Sequence, residues 1–134
     1  GKFAFDFGTV KYVNAVHSSS MPDGSYGGNP GGFVIWNDEQ CFYNAGDTAL
    51  TMDMKLIPLT CPKLDFAMLP IGDNFTMGYE DALIASEFIE CDHLMGFHFD
   101  TFPPIEIDHE KVRSVFKKAN KKLILPEIPK SYEV

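Results

Sequence analysis

The chain has 134 residues and a mass of 15.0 kDa, one domain's worth of material. Its 45% hydrophobic, 13% aromatic and 22% charged content excludes a disordered tail, a collagen-like repeat and a disulfide-stapled miniprotein. Eleven Lys and Arg against nineteen Asp and Glu leave a net charge of −8, which argues against nucleic acid and anionic membrane as partners.

Residues 2–7 (KFAFDF) alternate and stop at Gly8, a strand signal, and residues 9–16 (TVKYVNAV) read as a second strand. Residues 18–32 (SSSMPDGSYGGNPGG) form a breaker stretch long enough to suggest a functional loop. The runs 33–37 (FVIWN) and 40–44 (QCFYN) flank Asp38-Glu39 and predict a hairpin. Residues 51–58 predict a short helical segment that ends at Pro58. The nearly continuous apolar run 64–71 (LDFAMLPI) reads as a strand covered on both faces.

Two helices are predicted next, each beside a strand. Over 78–90, Ala82, Ala85, Ser86 and Ile89 recur at i, i+3, i+4 and i+7, a stripe of small residues suited to close packing on a sheet. Residues 93–99 (HLMGFHF) are a strand. Over 108–120, Val112, Val115, Phe116 and Ala119 repeat the helical spacing, with Asp108 at the N-cap and Lys117, Lys118, Lys121 and Lys122 at the end that the helix dipole favours for cations. Residues 122–125 make the last strand. Hairpins followed by β-α-β-α-β predict an α/β domain, a mixed sheet with helices on one face.

No apolar run approaches the ~18 residues of a membrane span. Cys41, Cys61 and Cys91 are odd in number and lack a Cys-x-x-Cys spacing, so they read as reduced core thiols of a cytoplasmic protein with no secretory leader. The opening Gly1-Lys2, without an initiator Met, suggests a fragment of a longer chain.

Four polar side chains share one placement. His17, Asp47, Asp73 and His98 each follow an apolar strand where it gives way to a loop. If those strands run in the same direction, all four stand at one sheet edge, where α/β folds place their sites. Two imidazoles and carboxylates there suit Zn²⁺, and a carboxylate can bridge two ions. The plainer alternative is that each caps a strand end through the backbone. His93 and His109 lack the pattern and are expected in solvent. No Gly-x-Ser-x-Gly elbow and no Gly-x-x-x-x-Gly-Lys cradle occurs, so serine-hydrolase and phosphate-loop chemistry have no support.

The runs Ala15-Val-His-Ser18, Asn44-Ala-Gly-Asp-Thr48, Leu69-Pro-Ile-Gly-Asp-Asn-Phe-Thr-Met-Gly78 and His98-Phe-Asp-Thr-Phe-Pro-Pro-Ile105 occur in this order. Together, over residues 9–126, they resemble the C-terminal half of a metallo-β-lactamase-fold metal-dependent hydrolase. The branch they resemble contains the L-ascorbate phosphate lactonases.

The resemblance implies the C-terminal βα half of an αβ/βα sandwich. It implies His17 as a ligand of a first metal, Asp47 as the carboxylate bridging two ions, and His98 as a ligand of a second. Asp73 would lie near the site in a catalytic or substrate-contacting role. The implied cofactor is a pair of divalent cations, Zn²⁺ or Mn²⁺, in the full-length protein. The implied substrate is a small or phosphorylated ester, lactone or phosphodiester. The family's His-x-His-x-Asp-His, which supplies the other ligands, does not occur in this chain. The chain alone is therefore expected to be inactive, to bind zinc weakly and to form a homo-oligomer through the sheet face its missing N-terminal half would cover. The rival expectation is a complete, non-catalytic α/β binding or scaffolding module.

Overall fold

The computed structural model describes residues 1–133, built on seven strands that hydrogen-bond in sequence order. These are β1 (Lys2–Phe5), β2 (Gly8–Asn14), β3 (Gly31–Trp36), β4 (Cys41–Asn44), β5 (Phe66–Pro70), β6 (His93–Phe97) and β7 (Lys122–Ile124). The first four pair antiparallel through tight or looped reversals, and β4 to β7 pair parallel. Parallel neighbours need a crossover. Three helices supply it: α1 (Leu56–Thr60), entered by a 3₁₀ turn at Met52–Lys55, then α2 (Tyr79–Phe88) and α3 (His109–Lys118).

Registered partners share a sheet face, and the two faces differ in cover. On one, Val34, Tyr43, Ala67 and Leu94 line up across β3 to β6 and are buried. They belong to one cluster with Ala82, Ala85 and Ile89 of the predicted small-residue stripe and with Val112 and Phe116 of α3. Small side chains let α2 approach the strands closely. Asp108 caps α3 as predicted, accepting from Lys111 N at 3.0 Å.

On the other face, Phe3, Val10, Ile35, Phe42 and Phe66 line up across β1 to β5, and none is fully buried. Phe42 and Phe66 stack with centroids 5.1 Å apart. The helices thus cover one face only. The expectation that residues 64–71 are covered on both faces does not hold: Phe66 and Met68 are half-exposed on the open side.

Two local expectations are corrected. Pro58 does not end its helix, which continues to Thr60, because Pro58 falls in the first turn, where no amide proton is required. Lys121 does not lie in solvent: its side chain is buried and paired with Asp92 at 2.6 Å and Glu87 at 2.8 Å. Burial pulls its pKa down, but the hydrogen bonds it donates to those two carboxylates outweigh this and raise it. The loop 18–32 is closed on itself by a bridge between Ser20 and Tyr26 and fastened to β2 by Tyr12 Oη donating to Asn29 O. Among the described residues, no helix is long and apolar enough to cross a membrane.

Candidate metal centre

Strand direction decides which loops meet. β4, β5 and β6 are parallel, and β2 points the same way because two antiparallel pairings separate it from β4. The loops after β2, β4, β5 and β6 therefore open at one edge. Those loops carry His17, Asp47, Asp73 and His98, so the predicted common edge is present.

Asp47 is delivered by a turn at Gly46, whose φ of +62° is costly for other residues and whose N–H is held by Asn44 Oδ1 at 3.0 Å. His98 leaves β6 in the left-handed region at φ +56°. Such a conformation is uncommon for a side chain with a Cβ and tends to persist at sites where the surroundings fix it. Here the fixing contact is Gly72: a Cβ at that position would lie 2.1 Å from the His98 carbonyl oxygen.

These two turns bring His98 Nε2 to 3.6 Å from Asp47 Oδ2, with side chains 25% and 43% exposed. Nδ1 of His98 is buried without a hydrogen-bond partner among the described residues. A buried ring nitrogen left unpaired costs about 1–3 kcal/mol unless water or an ion meets it.

His17 reaches the edge through backbone contacts. Val16 N donates to Thr48 Oγ1 and Ala49 N to Val16 O, both at 2.9 Å, which fastens the end of β2 to the Asp47 turn. His17 Nδ1 is 2.9 Å from Ser18 O. A carbonyl only accepts, so Nδ1 carries the proton and Nε2 keeps its lone pair, the state a ligating imidazole needs.

Asp73 serves its own loop: Oδ1 accepts from Asn74 N at 2.8 Å, and the side chain packs on Gly78. Among the described residues, no three His, Cys, Asp or Glu side chains converge on one point. His98 and Asp47 are brought together, while His17 and Asp73 share the edge without joining them. The donors brought together are one carboxylate and one imidazole, with a second imidazole on the same edge, a chemistry that could supply part of a divalent-cation site.

One pairing had no sequence signal. His109, expected in solvent, has Nε2 2.5 Å from Asp100 Oδ2 and stacks edge-on against Phe99, while Asp100 Oδ1 accepts from Ile107 N. These contacts pin the loop after His98 to the start of α3. A nine-residue separation across an irregular loop leaves no periodic trace in the sequence.

No family model matches the chain. Over all 134 residues it is 62% identical to a UPF0173 metal-dependent hydrolase from Christiangramia forsetii and spans 59% of that protein's length. Among solved structures, it superposes on Igni18, a metallo hydrolase from Ignicoccus hospitalis, with a TM-score of 0.82 and 30% identity, covering 95% of this chain and 55% of that one. A zinc-dependent hydrolase of the metallo-β-lactamase superfamily from Thermotoga maritima gives 0.66 at 17% identity, covering 86% of this chain and 55% of that one, a likeness of fold alone. The sheet with its helices is therefore that of the metallo-β-lactamase fold, and the chain spans little more than half the length of the relatives it matches.

Proposed function

We propose that this chain, 62% identical over its whole length to a UPF0173 metal-dependent hydrolase, belongs to that family, and that the parent protein is a metal-dependent hydrolase acting on a small or phosphorylated ester, lactone or phosphodiester, as in the lactonase-like branch. The single observation that carries this reading is the approach of His98 Nε2 to Asp47 Oδ2 at the loop edge of the sheet. Divalent cations held there, Zn²⁺ or Mn²⁺ in a pair, would supply a water of lowered pKa and an electrophile for the substrate oxygen.

Within this chain, Asp47 offers an exposed carboxylate that can face two ions, His98 offers a ring with no competing hydrogen bond, and His17 offers an Nε2 whose tautomer Ser18 fixes. Asp73 holds the loop that borders them and stands next to incoming substrate. The remaining ligands belong to the part of the relatives' length that this chain does not span. That part also covers the open sheet face, which explains why Phe3, Val10, Ile35, Phe42 and Phe66 form an apolar row with nothing packed on it.

The test is metal analysis of the full-length protein beside its Asp47→Ala variant. The reading expects loss of at least one equivalent of metal together with loss of hydrolysis; unchanged metal and activity would remove Asp47 from the centre.

A further inference from the structure

Two exposed phenylalanines stand on the same rim as His98 and Asp47. Phe75 lies in the loop after β5 and Phe102 in the loop after β6. They are 53% and 43% exposed, with ring centroids 5.8 Å apart. Both loops are fastened to the site. Met77 N donates to Thr48 O at 2.9 Å, beside Asp47, and Phe75 N donates to Asp73 O at 2.7 Å. The Phe102 loop begins at His98 and closes on itself through Asp100 N to Ile105 O and Ile105 N to Phe102 O. The aromatic pair thus bridges the two loops that flank the His98–Asp47 contact. Surface chemistry on this rim is one-sided: segments 44–49, 72–78 and 98–105 carry Asp47, Asp73 and Asp100 and no Lys or Arg. A phosphorylated or carboxylated tail finds no Lys or Arg in these segments to pair with, whereas a hydrocarbon tail meets two phenyl faces held in place.

We propose that Phe75 and Phe102 form an apolar subsite beside the His98–Asp47 edge, selecting an uncharged ester or lactone whose acyl or leaving group is a hydrocarbon or an aromatic ring. The proposal rests on the hydrolase reading above and narrows its substrate class, setting phosphorylated substrates aside.

The experiment uses the metal-loaded full-length protein and calorimetric binding of acetohydroxamate, hexanohydroxamate and benzohydroxamate, three chelators with one head group and different uncharged tails. Transfer of a methylene onto an apolar wall is worth roughly threefold in affinity. The two longer probes are therefore expected to bind at least tenfold more tightly than acetohydroxamate. In a Phe75→Ala, Phe102→Ala double variant that preference falls to about threefold or less, with acetohydroxamate unchanged. Where the double variant fails to fold, Phe75→Ser and Phe102→Ser singly are each expected to lose part of the preference.

Equal affinities in the unsubstituted protein would overturn the subsite. So would a tail preference that survives every substitution. A double variant that changes oligomeric state by light scattering and keeps its tail preference would assign the pair to an interface between copies and overturn it as well. A protein that hydrolyses none of the three substrate classes yet prefers the longer tails supports the subsite and counts against the hydrolase reading; one that hydrolyses but treats all tails alike does the reverse.

Discussion

His98 Nε2 stands 3.6 Å from Asp47 Oδ2 although α1, β5, α2 and β6 separate them in sequence. Two turns hold them there, one at Gly46 and one at His98 itself, both with positive φ. If this pair forms part of a cation site, His98→Asn in the full-length protein lowers the metal content by about one equivalent and hydrolysis by more than a hundredfold. Circular dichroism is expected to stay unchanged. Retained metal with lowered activity would make His98 a substrate contact instead.

Tyr43 is fully buried on the helix-covered face, and its hydroxyl finds no hydrogen-bond partner. Burial pushes its ionisation far above the ordinary phenol range. An unsatisfied buried hydroxyl costs about 1–3 kcal/mol. Tyr43→Phe is therefore expected to be neutral or to stabilise the fold by about 1 kcal/mol, read as a higher thermal midpoint. A loss of stability would show that the hydroxyl is satisfied.

The Cys41 thiol is pushed up from 9.0 to about 11, by burial first and then by the neighbouring Cys61, Asp65 and Cys91. A pKa raised in the folded state adds stability that is complete below the unfolded value and disappears as pH climbs through the folded one. Stability against urea is expected to fall between about pH 9 and pH 11, and Cys41→Val should flatten that slope. A thiol reagent at pH 8 should reach half-buried Cys61 well before Cys41 or Cys91. Equal reactivity of all three would contradict the packing.

The open sheet face makes opposite demands on the isolated chain and on the parent. Phe66 stacks on Phe42 and is only half-buried here. In the isolated chain, Phe66→Lys is expected to cost little stability and to shift self-association toward monomer in light scattering. In the full-length protein, where that face is proposed to be covered, the same change should cost about 3 kcal/mol or more. Equal effects in the two settings would mean that the face is open in both.

Much of this fold was legible because it is written in local periodicity. The stripe Ala82, Ala85, Ser86 and Ile89 announced α2, Asp108 announced the start of α3, alternation over residues 2–7 announced β1, and the runs on either side of Asp38-Glu39 announced the β3–β4 hairpin. The common edge was legible only conditionally, since strand direction had to be assumed before His17, Asp47, Asp73 and His98 could share it. Side-chain pairings across loops left no such trace. Asp100 with His109 and Lys121 with Asp92 and Glu87 depend on where chain ends meet in space. The run at residues 64–71 misled because Phe66 and Met68 are apolar for a face that the helices of this chain never reach.

The central claim is that Asp47, His98 and His17 hold divalent cations in the parent protein. Anomalous diffraction at the zinc or manganese edge from crystals of the full-length protein tests it most directly. The account predicts two peaks at the loop edge of the sheet, with Asp47 touching both, His17 on one and His98 on the other. A single peak, or peaks ligated by none of these three side chains, would contradict it.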